Sequence, residues 1–102
     1  MLDLGCGLGR NLSIAHHLGW QVAGIDHNPQ YAAAASELLP EADVRVADIL
    51  DEQDFDADVV YMYRPARGDE LEGKVETHVL ERVNPGTVMF WPTRHDPEVW
   101  LA

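Results

Sequence analysis

Leu2-Asp3-Leu4-Gly5-Cys6-Gly7-Leu8-Gly9, directly after Met1, decides the architecture of the chain. Residues 1–4 read as the end of a buried strand, and the glycine cluster stops it. Glycine lets a backbone turn tightly and approach a ligand with no Cβ in the way. A helix is expected just beyond, with Leu8, Leu12 and Ala15 at i, i+4 and i+7, and Ile14 and Leu18 four apart. Its N-terminus offers free N–H groups and partial positive charge. Gly19 suits the position just past its end.

Outward from this unit the alternation repeats. Residues 21–25 form a short apolar run, read as a second strand. Asn28-Pro29 is a helix start, with Asn as N-cap and Pro at the first helical position. That helix is expected to bury Tyr31, Ala34 or Ala35, and Leu38, and Pro40 ends it. Residues 43–47 alternate around Val44 and Val46, and residues 57–63 give the clearest strand. Val75, Val79 and Val83 stripe a helix over residues 70–82. Asn84-Pro85-Gly86 is turn chemistry. Residues 87–91 read as a fifth strand, stopped by Pro92, and residues 93–102 show no clear period. Strands alternating with helices imply an α/β fold, a mainly parallel sheet with right-handed crossovers. Residues 1–92 are expected to form one core and residues 93–102 a tail. A central strand usually has ~5–6 residues. The first here has at most four before its loop, so the chain is expected to begin within an element.

Composition narrows the classes of function. The chain has 102 residues, 46% hydrophobic and 25% charged, an ordinary globular composition for a single domain. Eighteen Asp and Glu against 7 Lys and Arg give a net charge of −11, and the basic residues are scattered singly. Such a surface repels phosphate backbones, which disfavours a nucleic-acid partner. No run of ~18 apolar residues exists to span a membrane. No charged n-region precedes an apolar run, so no signal peptide is read. The single cysteine cannot form an internal disulfide, and a cytoplasmic location is expected.

The glycine loop is joined by three acids. Asp3 precedes it, Asp26 ends the second strand and Asp48 follows the third. In an open parallel sheet, ligands bind outside the carboxyl ends of the strands. Strands ~4.8 Å apart would spread the three carboxylates over roughly 10 Å of one rim. One carboxylate can accept from both hydroxyls of a ribose, and another from an exocyclic amine. The row fits an adenosine. The dinucleotide fingerprint G-x-G-x-x-G, counted from Gly5, requires a small residue where this chain has Arg10. Asp3 also opposes a pyrophosphate and favours an ammonium or sulfonium group.

These motifs resemble those of class I S-adenosylmethionine-dependent methyltransferases. Residues Leu2 to Gly9 look like the first motif of that family. Gly24-Ile25-Asp26 with Asn28-Pro29 looks like the second, and Ala47-Asp48-Ile49 like the adenine-side motif. Phe55-Asp56-Ala57-Asp58-Val59-Val60 resembles the fourth strand, and Leu80-Glu81-Arg82-Val83-Asn84-Pro85-Gly86-Thr87 the passage into the fifth. The likeness runs in register from residue 2 to about residue 91. It implies a three-layer Rossmann-like fold with strand order 3-2-1-4-5 and S-adenosylmethionine as cofactor.

The resemblance also implies roles. Gly5, Cys6 and Gly7 would pass close to the methionyl part by backbone, with no thiol chemistry at Cys6. Asp3 would favour its amino group, and Asp26 would hold the ribose hydroxyls. His27 would lie along the adenine, Asp48 would accept from its amine, and Ile49 would pack the ring. Tyr63 would face the methionyl group and the entering acceptor. Apart from the resemblance, Arg64 is a candidate by its place at the carboxyl end of the fourth strand, either to hold an anionic acceptor or, equally, to pair with one of the many acids. No side chain is assigned a catalytic role, and no His/Cys/Asp spacing matches a metal site.

The chain departs from the family in lacking the reversed C-terminal hairpin and the N-terminal cap helices, so a shortened or partial domain is expected. The fifth strand would then be a sheet edge, shielded at most in part by Pro92 and the tail with Trp100 folding back, and open to a second copy or another chain. Tyr63-Arg64-Pro65 is not the signature of amino-methylating nucleic-acid enzymes, which removes the best sequence support for a DNA or RNA acceptor; an unidentified small molecule is the expected acceptor. Two alternatives stay open: a non-catalytic cofactor-binding module acting through a partner, and a fragment of a nicotinamide-dependent oxidoreductase.

Overall fold

The structure, a computed structural model, describes residues 1–63, 65, 66, 68–92 and 97–101, the last segment as backbone. Its elements in chain order are β1 (Leu2–Leu4), α1 (Arg10–His17), β2 (Ala23–Asp26), α2 (Pro29–Leu38), β3 (Asp43–Val46), β4 (Val59–Met62), α3 (Asp69–Leu80), β5 (Val88–Pro92) and β6 (Pro97–Leu101). A single 3-10 turn, Ile49–Asp51, follows β3.

The sheet order is β3-β2-β1-β4-β5-β6. Strands β1 to β5 pair in parallel in the expected order. Central β1 pairs Leu2 with Ala23 on one side and with Val60 on the other. The expectation of a bare edge at β5 is corrected. β6 pairs antiparallel with it, placing Val88 opposite Leu101 and Phe90 opposite Val99. The segment read as a tail without period therefore supplies a strand that satisfies the outer backbone groups of β5.

Side chains alternate across the strands, and two apolar clusters result. Leu2, Leu4, Ile25, Val60, Met62 and Met89 face Val75 and Val79 of α3, with Ile49 and Phe55 closing the layer. On the other face, Val22 and Val44 meet Cys6, Leu12 and Ala15 from α1 and its loop, and Ala35 and Leu39 from α2 and its end. Asn28 caps α2 as expected, its side chain accepting from the Gln30 and Tyr31 amides.

Two helix faces differ from the sequence reading. α2 buries Ala32 and Ala35, while Tyr31 and Leu38 are exposed. The small side chains win because α2 runs against the glycine loop: a Cβ on Gly9 would lie 3.0 Å from the Ala35 Cβ. In α1, Leu12 and Ala15 are buried and Ile14 and Leu18 exposed; Leu8 lies ahead of the helix, also exposed. On this α1 side of the sheet, Val59, Tyr61, Val88 and Phe90 stay half-buried and belong to neither cluster.

Candidate cofactor site

The loop after β1 is fastened to the end of β2. The Gly5 and Cys6 amides both donate to the Ile25 carbonyl, at 2.8 and 2.9 Å, and the Gly9 amide donates to the Cys6 carbonyl at 3.1 Å. Gly5, Gly7 and Gly9 have φ of 83°, 55° and 88°, in the left-handed region that glycine enters without penalty. A Cβ on Gly7 would meet nothing within 4 Å.

Asp26 sits at the carboxyl end of β2, 7% exposed. Its Oδ2 accepts from the Gly7 amide and its Oδ1 from the Asn28 amide, both at 2.8 Å. A carboxylate has about four acceptor positions, so capacity remains for a diol. His27 follows with an open imidazole, 3.9 Å from Asp26 Oδ1. Asp48 caps the 3-10 turn, its Oδ1 accepting from the Leu50 amide at 3.0 Å. Ile49 is buried against the α3 layer.

Asp3 lies in β1 on the same sheet face as Gly24 and Tyr61, its register partners. It is 2% exposed, and its Oδ1 has no hydrogen-bond partner. Burial, and then the charge of Asp26, push its carboxyl up from 3.8 to about 7. An unpaired buried carboxylate oxygen is costly, and a ligand's ammonium would relieve it. Cys6 is buried over Gly24, where a Cβ would come within 2.9 Å of its Sγ. Burial, with the charges of Asp3 and Asp26, pushes its thiol up to about 12. A thiol so resistant to ionisation is no nucleophile.

A cavity of about 620 Å³ opens at the carboxyl ends of the strands, within the usual range for small-ligand sites. Gly5, Gly7, Asp26, His27, Asp48 and Ile49 line it, together with Pro65 and with Leu71 and Val75 of α3. The structure thus brings together six of the sequence-predicted residues. Asp3 and Cys6 lie beneath the loop, outside the lining. Tyr63 stands just past β4, 48% exposed and also outside it. Arg64 lies outside the described residues. A cavity of about 590 Å³ opens at the opposite strand ends, among Met1, Trp20, Asp56 and Asp58. It has no glycine loop and no helix N-terminus to hold a ligand, so the carboxyl-end cavity is the functional candidate. Among the described residues no group of three His, Cys, Asp or Glu is placed to hold a metal ion. No helix among them is long and apolar enough to cross a membrane.

Sequence reading missed Asn11, Tyr61, Leu71 and Pro65. Burial and then the charge of Asp3 push the Tyr61 phenol up, opposed by its polar neighbour Asn11 in the first turn of α1. The Tyr61 ring also stacks on Phe90, ring centres 5.4 Å apart. Leu71 was detectable, since it stands four residues before Val75 on the valine stripe of α3.

The sequence model of a methyltransferase domain matches residues 2–64. Among solved structures, TehB from Haemophilus influenzae is 26% identical with a TM-score of 0.73; the match covers 88% of this chain and 34% of TehB. A protein solved in work on conversion of a disulfide bond into a thioacetal group during echinomycin biosynthesis is 28% identical at a TM-score of 0.73, covering 88% of this chain and 42% of that one. An RNA methyltransferase from Salinibacter ruber, in complex with S-adenosyl-L-homocysteine, shares the fold at 24% identity and a TM-score of 0.76, covering 95% of this chain and 69% of its own. The chain thus spans less than half the length of the first two. No curated protein matches it.

Proposed function

This chain belongs to the methyltransferase-domain family, and from that premise we propose that it binds S-adenosylmethionine at the carboxyl-end cavity and transfers its methyl group to a small-molecule acceptor. The observation that carries the reading is the buried Asp3 carboxylate with an unpartnered Oδ1, beneath a glycine loop and beside two further acids at the strand ends. That donor set fits the cofactor. Asp3 favours the ammonium, directly or through water. Asp26 has acceptor positions left for the ribose hydroxyls, and Asp48 has Oδ2 left for the adenine amine. His27 and Ile49 flank the adenine, and the Gly5–Gly7 backbone takes the methionyl part with no Cβ to obstruct it. Tyr63 stands at the acceptor side, and Arg64 is assigned to an anionic acceptor by its place in the sequence alone.

The bound cofactor supplies a methyl group already activated on a sulfonium, for direct displacement by the acceptor. The protein's part is to bind, orient and desolvate. No described side chain is required as a nucleophile, and the raised Cys6 thiol accords with that. The surplus of acid, −11 overall, supports a small molecule over a nucleic acid and accords with a cytoplasmic protein. A second reading, a cofactor-binding module acting through a partner, is favoured by the half-buried apolar residues Val59, Val88 and Phe90, which belong to neither apolar cluster. Binding of labelled S-adenosylmethionine, followed by turnover against pools of small-molecule acceptors, tests both. Saturable binding with methyl transfer supports the first reading, and binding without transfer the second. Absence of binding by the folded chain overturns both.

A further inference from the structure

We infer that Asp26, beyond its part in holding the ribose, is the positioning residue that sets the glycine loop for the methionyl half of the cofactor, so that one carboxylate couples recognition of the two halves. This rests on the cofactor reading above. The Gly7 amide donates to Asp26 Oδ2 and the Asn28 amide to Oδ1, both at 2.8 Å. The two oxygens therefore bridge the middle of the loop to the start of α2. Asn28 passes the link on, because its side chain caps α2 through the Gln30 and Tyr31 amides. At its far end the loop touches the same helix, Gly9 against Ala35.

The other fixed points of the loop lie on either side of Gly7. Gly5 and Cys6 are held by the Ile25 carbonyl, and Gly9 by the Cys6 carbonyl. Gly7 has φ of 55° and open space where a Cβ would stand; its amide donates to the Asp26 carboxylate, and its carbonyl has a weak contact from the Cys6 thiol at 3.9 Å. Charge-assisted bonds of this type are short and strong. Asp26 is 7% exposed, so water competes weakly for it. Asn at position 26 would present one acceptor oxygen and an NH₂ group. It can serve one of the two backbone amides and must turn a donor toward the other.

The test compares two ligands on the wild type and the Asp26→Asn variant. S-adenosylhomocysteine carries both halves; 5′-methylthioadenosine keeps the adenosine and lacks the amino-acid part. A purely ribose-binding acid would cost both ligands the same factor. The coupling inferred here predicts that S-adenosylhomocysteine loses about tenfold more affinity than 5′-methylthioadenosine, the scale of one charge-assisted hydrogen bond. It also predicts that, without any ligand, Gly7 amide hydrogen exchange followed by NMR is about tenfold or more faster in the variant. Equal losses for the two ligands, or unchanged Gly7 exchange, overturn the inference. If Asp26→Asn does not fold, wild-type Gly7 decides: exchange at the unprotected rate overturns the bond, and slowed exchange supports it. Failure of the wild type to bind S-adenosylhomocysteine would instead overturn the cofactor reading, with Gly7 exchange still deciding whether Asp26 holds the loop.

Discussion

Asp3, buried in the central strand, feels the negative charge of Asp26 at the end of the neighbouring strand, with burial itself the larger reason that its carboxyl is raised to about 7. The folded protein therefore keeps a proton there between about pH 4 and pH 7 that the unfolded chain has released. Stability contributed by Asp3 falls as pH rises through that window and stays low above it. Asn at this position carries no charge at any pH. We expect Asp3→Asn to be more stable than wild type at about pH 8 and to lose that advantage near pH 4. At about 1.4 kcal/mol per pH unit, the difference should be on the order of 2–4 kcal/mol, read from urea denaturation at the two pH values. The same variant should bind S-adenosylhomocysteine about tenfold or more weakly, because the ammonium loses its carboxylate. A variant that is less stable at high pH and binds normally would remove Asp3 from the site.

Two glycines should answer differently to the same added methyl. On Gly24 it would lie 2.9 Å from Cys6 Cβ, Cys6 Sγ and Leu12 Cδ1. Overpacking of this kind costs about 1–3 kcal/mol, so Gly24→Ala should lower the melting temperature. On Gly7 it would enter open space at a residue lining the cavity. Gly7→Ala should cost only the left-handed backbone penalty, ~1 kcal/mol, and yet weaken S-adenosylhomocysteine. Thermal denaturation with and without ligand separates the two. The reverse pattern would place the ligand elsewhere.

Asp48 is expected to read the adenine amine. The wild type should therefore prefer S-adenosylhomocysteine to its inosine analogue, which lacks that amine, and Asp48→Ala should narrow the preference. The same variant loses the cap on Leu50, at a cost of about 0.5–2 kcal/mol by analogy with helix caps. A preference unchanged by Asp48→Ala, from competition titrations with the two ligands, would contradict the role.

β6 protects β5. A chain ending at residue 96 would bare the backbone edge of Val88–Pro92, and exposed apolar edges pair with other chains. Sedimentation velocity at micromolar concentration should show larger species for the shortened chain than for the full one. Equal sedimentation would mean that the β5 edge is harmless without its partner.

The parts of this fold that are legible in the sequence are local. Asn28-Pro29 reads as a cap because the chemistry of capping needs no distant partner, and the valine stripe shows which face of α3 is buried. Strand order followed from the motifs in register. β6 was not legible, because residues 97–101 lack a period of their own and form a strand by pairing with β5. The buried face of α2 was legible only in part: Ala35 is buried as expected, but Ala32 accompanies it in place of Tyr31 and Leu38. Size-blind periodicity favours Tyr31 and Leu38, whereas the close approach of Gly9 admits only Ala35. In the site, Asp26 was recognisable as an acid at a strand end. Its bond to Gly7 was not, since it joins residues nineteen apart in the sequence through a turn set by the glycine loop.

Calorimetric titration of the folded wild-type chain with S-adenosylhomocysteine and, separately, with a nicotinamide dinucleotide tests the central claim most directly. The row of Asp3, Asp26 and Asp48 beneath and around the glycine loop predicts saturable binding of S-adenosylhomocysteine, at least about tenfold tighter than the dinucleotide, or about 1.4 kcal/mol. Tighter binding of the dinucleotide, or no binding of S-adenosylhomocysteine by the folded chain, would contradict it.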